Sequence, residues 1–252
     1  MADVEKQITR PVESMQVDNS DENTVAAGPS GYYTGAPLHH TLTMDTQRAF
    51  PVYHRKLGNP APLGLISFAA TTLILSLYNI QTRHITVPNA VVGMAFGVGG
   101  LTQLLAGMWE FGAGNTFGAT AFSAYGGFWF SYGIILSPWS GILAAYEGDK
   151  APQLNDALGI FLLAWFIITF IMFFGTFRSS VSLSALFFFL DLTFMLLMIG
   201  EFMQKPKVTQ TGGVIGAITA FIAFYTGAAG LYSPDASYFI LPVGDLPKRK
   251  DD

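Results

Sequence analysis

The stretch ALGIFLLAWFIITFIMFFGTF, residues 157–177, decides the fold. It is apolar throughout and carries no charge. A helix rises 1.5 Å per residue, so about 20 residues span a hydrocarbon core of about 30 Å. Working outward, residues 181–199 and 212–231 follow it as similar runs, and residues 63–80, 87–109 and 116–136 precede it. The runs do not alternate in polarity, exceed strand length and lack regular turn signals, so they read as helices rather than barrel strands. The expected fold is an all-α integral membrane protein, a bundle of six transmembrane helices.

The composition agrees. Hydrophobic residues make up 51% and charged ones 12%, too few charges to cover a soluble globule of this size. The charges lie at the ends and in short connectors, and short connectors force antiparallel neighbours. Residues 57–233 therefore form one transmembrane domain. Residues 1–56 read as a disordered tail, because the stretch SMQVDNSDENTVAAGPSGYYTG cannot bury enough apolar surface to fold alone. Ser14, Ser20 and Thr24 in it are candidates for phosphorylation. Residues 234–252 read as a second, C-terminal tail. No cleavable signal peptide is expected from the polar start MADVEKQITR.

Six crossings place both termini on one side. Arg48, Arg55, Lys56, Arg178, Lys248, Arg249 and Lys250 flank that side, and Arg83, Lys150, Lys205 and Lys207 the other, which predicts cytosolic termini. Gly93 with Gly97, and Gly212 with Gly216 and Ala220, have the spacing that lets helices approach closely.

Few residues can carry chemistry. With no cysteine, disulfides and thiolate sites are excluded. All four histidines lie outside the runs, which argues against a buried metal site. The net charge of −4 argues against nucleic acid. No catalytic or nucleotide-binding motif is present, so neither an enzyme nor a cofactor is expected. The run Gly97-Val98-Gly99-Gly100 lies inside an apolar helix and reads as packing.

Polar residues at membrane depth remain: Thr71 and Thr72 in the first run, Gln103 in the second, Asn115 and Thr116 opening the third, and Asp191 within the fifth. A charge at mid-membrane costs about 2.5–3.5 kcal/mol on insertion scales. Asp191 is therefore a candidate proton site or a hydrogen-bonded structural carboxyl. Glu110 and Glu201 lie at run ends and read as interfacial, with Glu110 a second candidate proton site. Asn59 precedes Pro60 and Pro62 and suits an N-cap, since proline fits a first helical turn.

The heptad NPAPLGL, residues 59–65, resembles the signature of the acetate uptake transporter family, which holds bacterial succinate–acetate permeases and fungal acetate permeases. GNTFGATAFSAYGGFW, residues 114–129, is similar to the family's third-helix motif, and MFFGTFRSS, residues 172–180, to the end of its fourth helix. The pattern from Phe187 to Gly200 resembles its fifth, and the likeness runs in order to the sixth helix. The acidic tail and the string ITVPN, residues 85–89, look more like the fungal branch.

The resemblance implies a hexamer of six-helix protomers, each with a central pore. It also implies transport of acetate and related short acids, including succinate, by a channel or by proton-coupled symport. Family members build an apolar constriction from a phenylalanine, a tyrosine and a leucine, and motif by motif these are Phe68, Tyr125 and Leu190. Each lies about 13–15 Å from the same membrane face by helical rise. Asp191 departs from the pattern, where an uncharged residue is common. The substrate pathway is expected to include Asn59, Thr72, Gln103, Asn115 and Thr116, with the Tyr125 hydroxyl and the positive ends of the first and third helices holding a carboxylate. The expected function is a plasma-membrane acetate permease. Its rivals are a membrane sensor of acetic acid adaptation, with the tail as output, and an ammonium exporter.

Overall fold

The computed structural model describes residues 57–235 and 237–247. The disordered-tail reading, its phosphorylation candidates and the basic residues 248–250 lie outside these.

Among the described residues, six long helices follow one another. They are α1 (Ala61–Asn79), α2 (Val91–Gly112), α3 (Thr116–Leu136), α4 (Ala151–Gly175), α5 (Val181–Met203) and α6 (Pro206–Leu231). Several boundaries differ from the apolar runs, four of them for a clear local reason. α2 starts at Val91 rather than residue 87, because Pro88 disfavours helix before it and Val91 N–H closes a turn on Pro88 O at 2.9 Å. α4 starts at Ala151 and α6 at Pro206, both ahead of their apolar runs. Pro152 and Pro206 seat the first turns, and polar residues such as Gln153, Asn155 and Lys207 are helical although they are not apolar. α5 runs on to Met203 and stops where Gln204 turns left-handed at φ 49°.

Among the described residues, five helices are long and apolar enough to cross a membrane: α1, α2, α4, α5 and α6. α3 is not among them. Its 21 residues are diluted by Thr, Ser, Tyr and Gly, and much of that set turns inward, with Gly118, Tyr125, Gly126 and Gly133 buried. α4 is the least buried of the five. Its exposed Ile160, Phe170, Ile171 and Phe174 make a face that suits lipid or another protein.

α6 packs between α1 and α5, α4 against α5, and α2 against α3 and α1. Close approach explains several glycines. A Cβ at Gly213 would stand 2.9 Å from Asn79 Cβ and Ser76 O, and one at Gly99 would stand 2.6 Å from the Trp129 ring. Of the two small-residue series, Gly212 and Gly216 pack inside the bundle, while Gly93 and Gly97 are exposed and a Cβ at either would meet no described residue within 4 Å.

The middle of α2, Ala95–Thr102, is a π-helix that contains the glycine run. Thr102 Oγ1 donates to Gly97 O at 2.9 Å, five residues back. Such segments are rare and recur at functional sites. This one delivers Gln103, at 1% exposure, to the interior.

Candidate functional site

A cavity of about 350 Å3 opens at the end of the bundle where α1, α3 and α5 begin and α6 ends. Each helix contributes its near turns to the wall. Counted inward from that end, the last lining residue is Phe68 on α1, Tyr125 on α3 and Leu190 on α5. Phe68, Tyr125 and Leu190 therefore form the floor, and all three are 3–4% exposed. The Phe68 and Tyr125 rings lie 5.7 Å apart between centroids. Below the floor, Tyr125 stacks on Phe194 at 6.5 Å, and Phe194 meets Phe128 edge-on at 5.4 Å. Gln103 also lines the cavity, and its Oε1 is buried without a hydrogen-bond partner.

The Tyr125 hydroxyl does not point where sequence reading put it. It lies 2.8 Å from Thr169 Oγ1, on α4, and Thr169 does not line the cavity. Thr169 donates its own proton to Trp165 O at 2.7 Å, so Tyr125 is the donor of the pair. Tyr125 thus shows the cavity its ring and commits its proton between helices. Nothing in the sequence marked Thr169.

The remaining candidates separate into mouth, interior and outside. Asn115 lines the mouth and caps α3, its Oδ1 accepting from Gly118 N–H at 3.1 Å. Asn59 Oδ1 accepts from Ala61 N–H at 3.1 Å, so it caps α1 from one residue outside, with Pro60 already helical at φ −81°. Thr116 is exposed on the first turn of α3 and is not part of the wall. Thr72 is buried one turn beyond Phe68, away from the cavity, with its hydroxyl unpartnered. Asp191 is half-buried beside Leu190 but does not line the cavity, and its Oδ1 has no partner.

Glu110, read as interfacial and as a candidate proton site, lies in the last turn of α2 and is 2% exposed. Its Oε2 accepts from Asn115 Nδ2 at 2.8 Å, and its Oε1 is unpartnered. The turn between α2 and α3 folds Asn115 back over the carboxylate and shields it from solvent. Glu201 is partly buried and accepts from Asn155 Nδ2 at 3.2 Å.

Sequence reading missed one wall. Residues 241–246, read as tail, fold back onto the start of α5, and Leu241, Val243 and Asp245 line the cavity mouth. Val181 N–H donates to Gly244 O at 2.8 Å, and Ser182 N–H to Val243 O at 3.0 Å. Leu246 N–H returns to Ser179 O at 3.0 Å. The signal available was the apolar content of ILPVGDL, residues 240–246.

Fold and cavity together define a multi-pass α-helical membrane protein whose helices enclose a solute-sized chamber opening at one end of the bundle. The chain belongs to the GPR1/FUN34/yaaH family, whose profile matches residues 41–248. It is 49% identical over 203 residues to acetate permease A of Emericella nidulans, covering 77% of this chain and 68% of that protein. It is 48% identical over 199 residues to ammonia transport outward protein 2 of Saccharomyces cerevisiae, covering 79% of this chain and 70% of that one. The structure described as that of the bacterial acetate channel SatP superposes with a TM-score of 0.66 at 35% identity, over 75% of this chain and all of that one.

Proposed function

We propose that the protein is a plasma-membrane permease for acetate and related short monocarboxylates. The solute enters the chamber and passes the floor made by Phe68, Tyr125 and Leu190. The observation that carries this reading is their meeting: one residue from each of three helices, chosen by motif, lies at the deepest lining position of its helix. A chamber of about 350 Å3 suits a small solute. Three helix N-termini converge at its mouth, and their positive ends favour an anion without a full positive charge. The relatives named for acetate support the same substrate.

In this reading α3 is the sixth crossing, an inward-facing helix sheltered by its neighbours. Both termini are cytosolic, in keeping with Arg178 beside the mouth. The protomers assemble as a ring of six, and Gly93 and Gly97, open on the outer face of α2, offer a surface for close approach of another copy. The catalytic role is none. Uptake of labelled acetate by purified protein in liposomes, with and without a pH gradient, tests the reading. Uptake above protein-free vesicles supports it, and dependence on the gradient separates symport from a channel. Uptake equal to empty vesicles rejects it.

Ammonium export is the second reading, favoured by the name of one relative at 48% identity and by an acidic side chain at the mouth, Asp245. Efflux of labelled methylammonium from the same vesicles, without acetate uptake, selects it. A sensing role predicts instead little uptake by the unaltered protein and loss of signalling on removal of residues 1–56, whereas a permease keeps its uptake without them.

A further inference from the structure

Among the described residues, the cavity wall holds no Lys, Arg or His and one carboxylate, Asp245. Its backbone is fixed in place. Besides the bonds that tie residues 243, 244 and 246 to the start of α5, Tyr225 Oη donates to Pro242 O at 2.6 Å. Gly244 makes the fold-back: its φ is +70°, and a Cβ there would stand 3.1 Å from Val181 Cβ. The Asp245 side chain itself is exposed at the mouth, where it is free to face an arriving solute.

The mouth therefore carries two opposed fields. The N-termini of α1, α3 and α5 each contribute roughly half a positive charge. Asp245 contributes a full negative one. Arg178, two residues ahead of the Ser180 cap, is exposed and outside the wall, so it adds a solvated cation at the rim.

We infer that Asp245 is a specificity-determining residue that sorts carboxylates by charge at the mouth, admitting monoanions in preference to dianions. This rests on the reading of the chamber as a carboxylate entrance. Coulomb energy scales with the product of charges, so the factor against a dianion is the square of that against a monoanion. For charges roughly 6 Å apart in a solvent-like dielectric the factor is about threefold for acetate and about tenfold for succinate. Both are screened away at high ionic strength. A residue that merely complements the α5 dipole behaves differently, because its loss alters thermal stability without separating the two acids.

The test uses the full chain in vesicles oriented with the C-terminus outward. Labelled acetate uptake and its inhibition by succinate are measured at neutral pH and at low and high ionic strength. Asp245→Asn keeps the side-chain shape, and Asp235→Asn, off the wall, is the control. The expected result for Asp245→Asn at low ionic strength is an acetate half-saturation about threefold lower and a succinate inhibition constant about tenfold lower. Both differences vanish at high ionic strength, and the control matches the unaltered protein. An equal shift for the two acids, or no shift for either, overturns the inference while leaving the permease reading in place. Absence of acetate uptake by the unaltered protein rejects the permease reading and the inference with it.

Discussion

Leu190→Ala is the sharpest perturbation of the proposed constriction. Leu190 is 3% exposed and is the deepest α5 residue on the chamber wall. Truncation to alanine removes three carbons from the floor and leaves Phe68 and Tyr125 in place, 5.7 Å apart between ring centroids. A buried Leu→Ala change in a soluble core costs about 2.7–5.0 kcal/mol. Here one side of the leucine already faces an open chamber, so the structural cost falls at or below the low end of that range. The gain is in width. A pocket rejects one extra small group by about 1–3 kcal/mol, or roughly 10–200-fold. Lactate exceeds acetate by such a group, so the lactate-to-acetate uptake ratio should rise at least tenfold on this scale, with acetate uptake retained. The assay is competitive uptake of the two labelled acids in liposomes, with oligomer size and thermal stability recorded for the same preparation. A well-assembled variant with an unchanged ratio refutes the placement of the selective step at this floor. Phe68→Ala should move the ratio in the same direction.

Tyr125→Phe and Thr169→Val each break the same 2.8 Å bond, so each should lower thermal stability by about 1–3 kcal/mol with the ranking of acids unchanged. The double variant should fall short of the sum of the two, and full additivity in a thermal-shift cycle refutes the pairing. Gly244→Ala forces a side chain into left-handed backbone at φ +70° and should cost about 1–2 kcal/mol locally. Faster hydrogen exchange at the Val181 and Ser182 amides reports that loss, and unchanged exchange contradicts the tether. Asp191→Asn removes a titratable group without changing shape, and a flattened pH profile of uptake identifies it as a proton site. A profile identical to that of the unaltered protein leaves it a structural carboxyl.

The long apolar runs made the helices legible, because a continuous run of about 20 apolar residues has few uses other than crossing a membrane. α3 matched its run at both ends, bounded by the Asn115 cap and the Ser137 turn. The starts of α4 and α6 were hidden, since their first turns are polar and apolarity does not register polar helix. The floor was legible through motif and helical depth together. The hydrogen-bond side of Tyr125 was not, because its partner lies on a helix 44 residues away in sequence. Nor was the burial of Glu110, which depends on a turn that brings Asn115 over it. The fold-back of residues 241–246 was missed because three backbone hydrogen bonds and a tyrosine hydroxyl hold it, and backbone pairing leaves little trace in residue type.

The central claim is that acetate crosses through the chamber floor of this protein. Labelled acetate uptake by liposomes carrying the unaltered protein, set beside uptake with Leu190→Trp, tests it most directly, because tryptophan projects a larger side chain into the chamber over Phe68 and Tyr125 without adding charge. The account predicts uptake well above protein-free vesicles for the unaltered protein and uptake at their level for a correctly assembled Leu190→Trp. Equal uptake by the two proteins would contradict it.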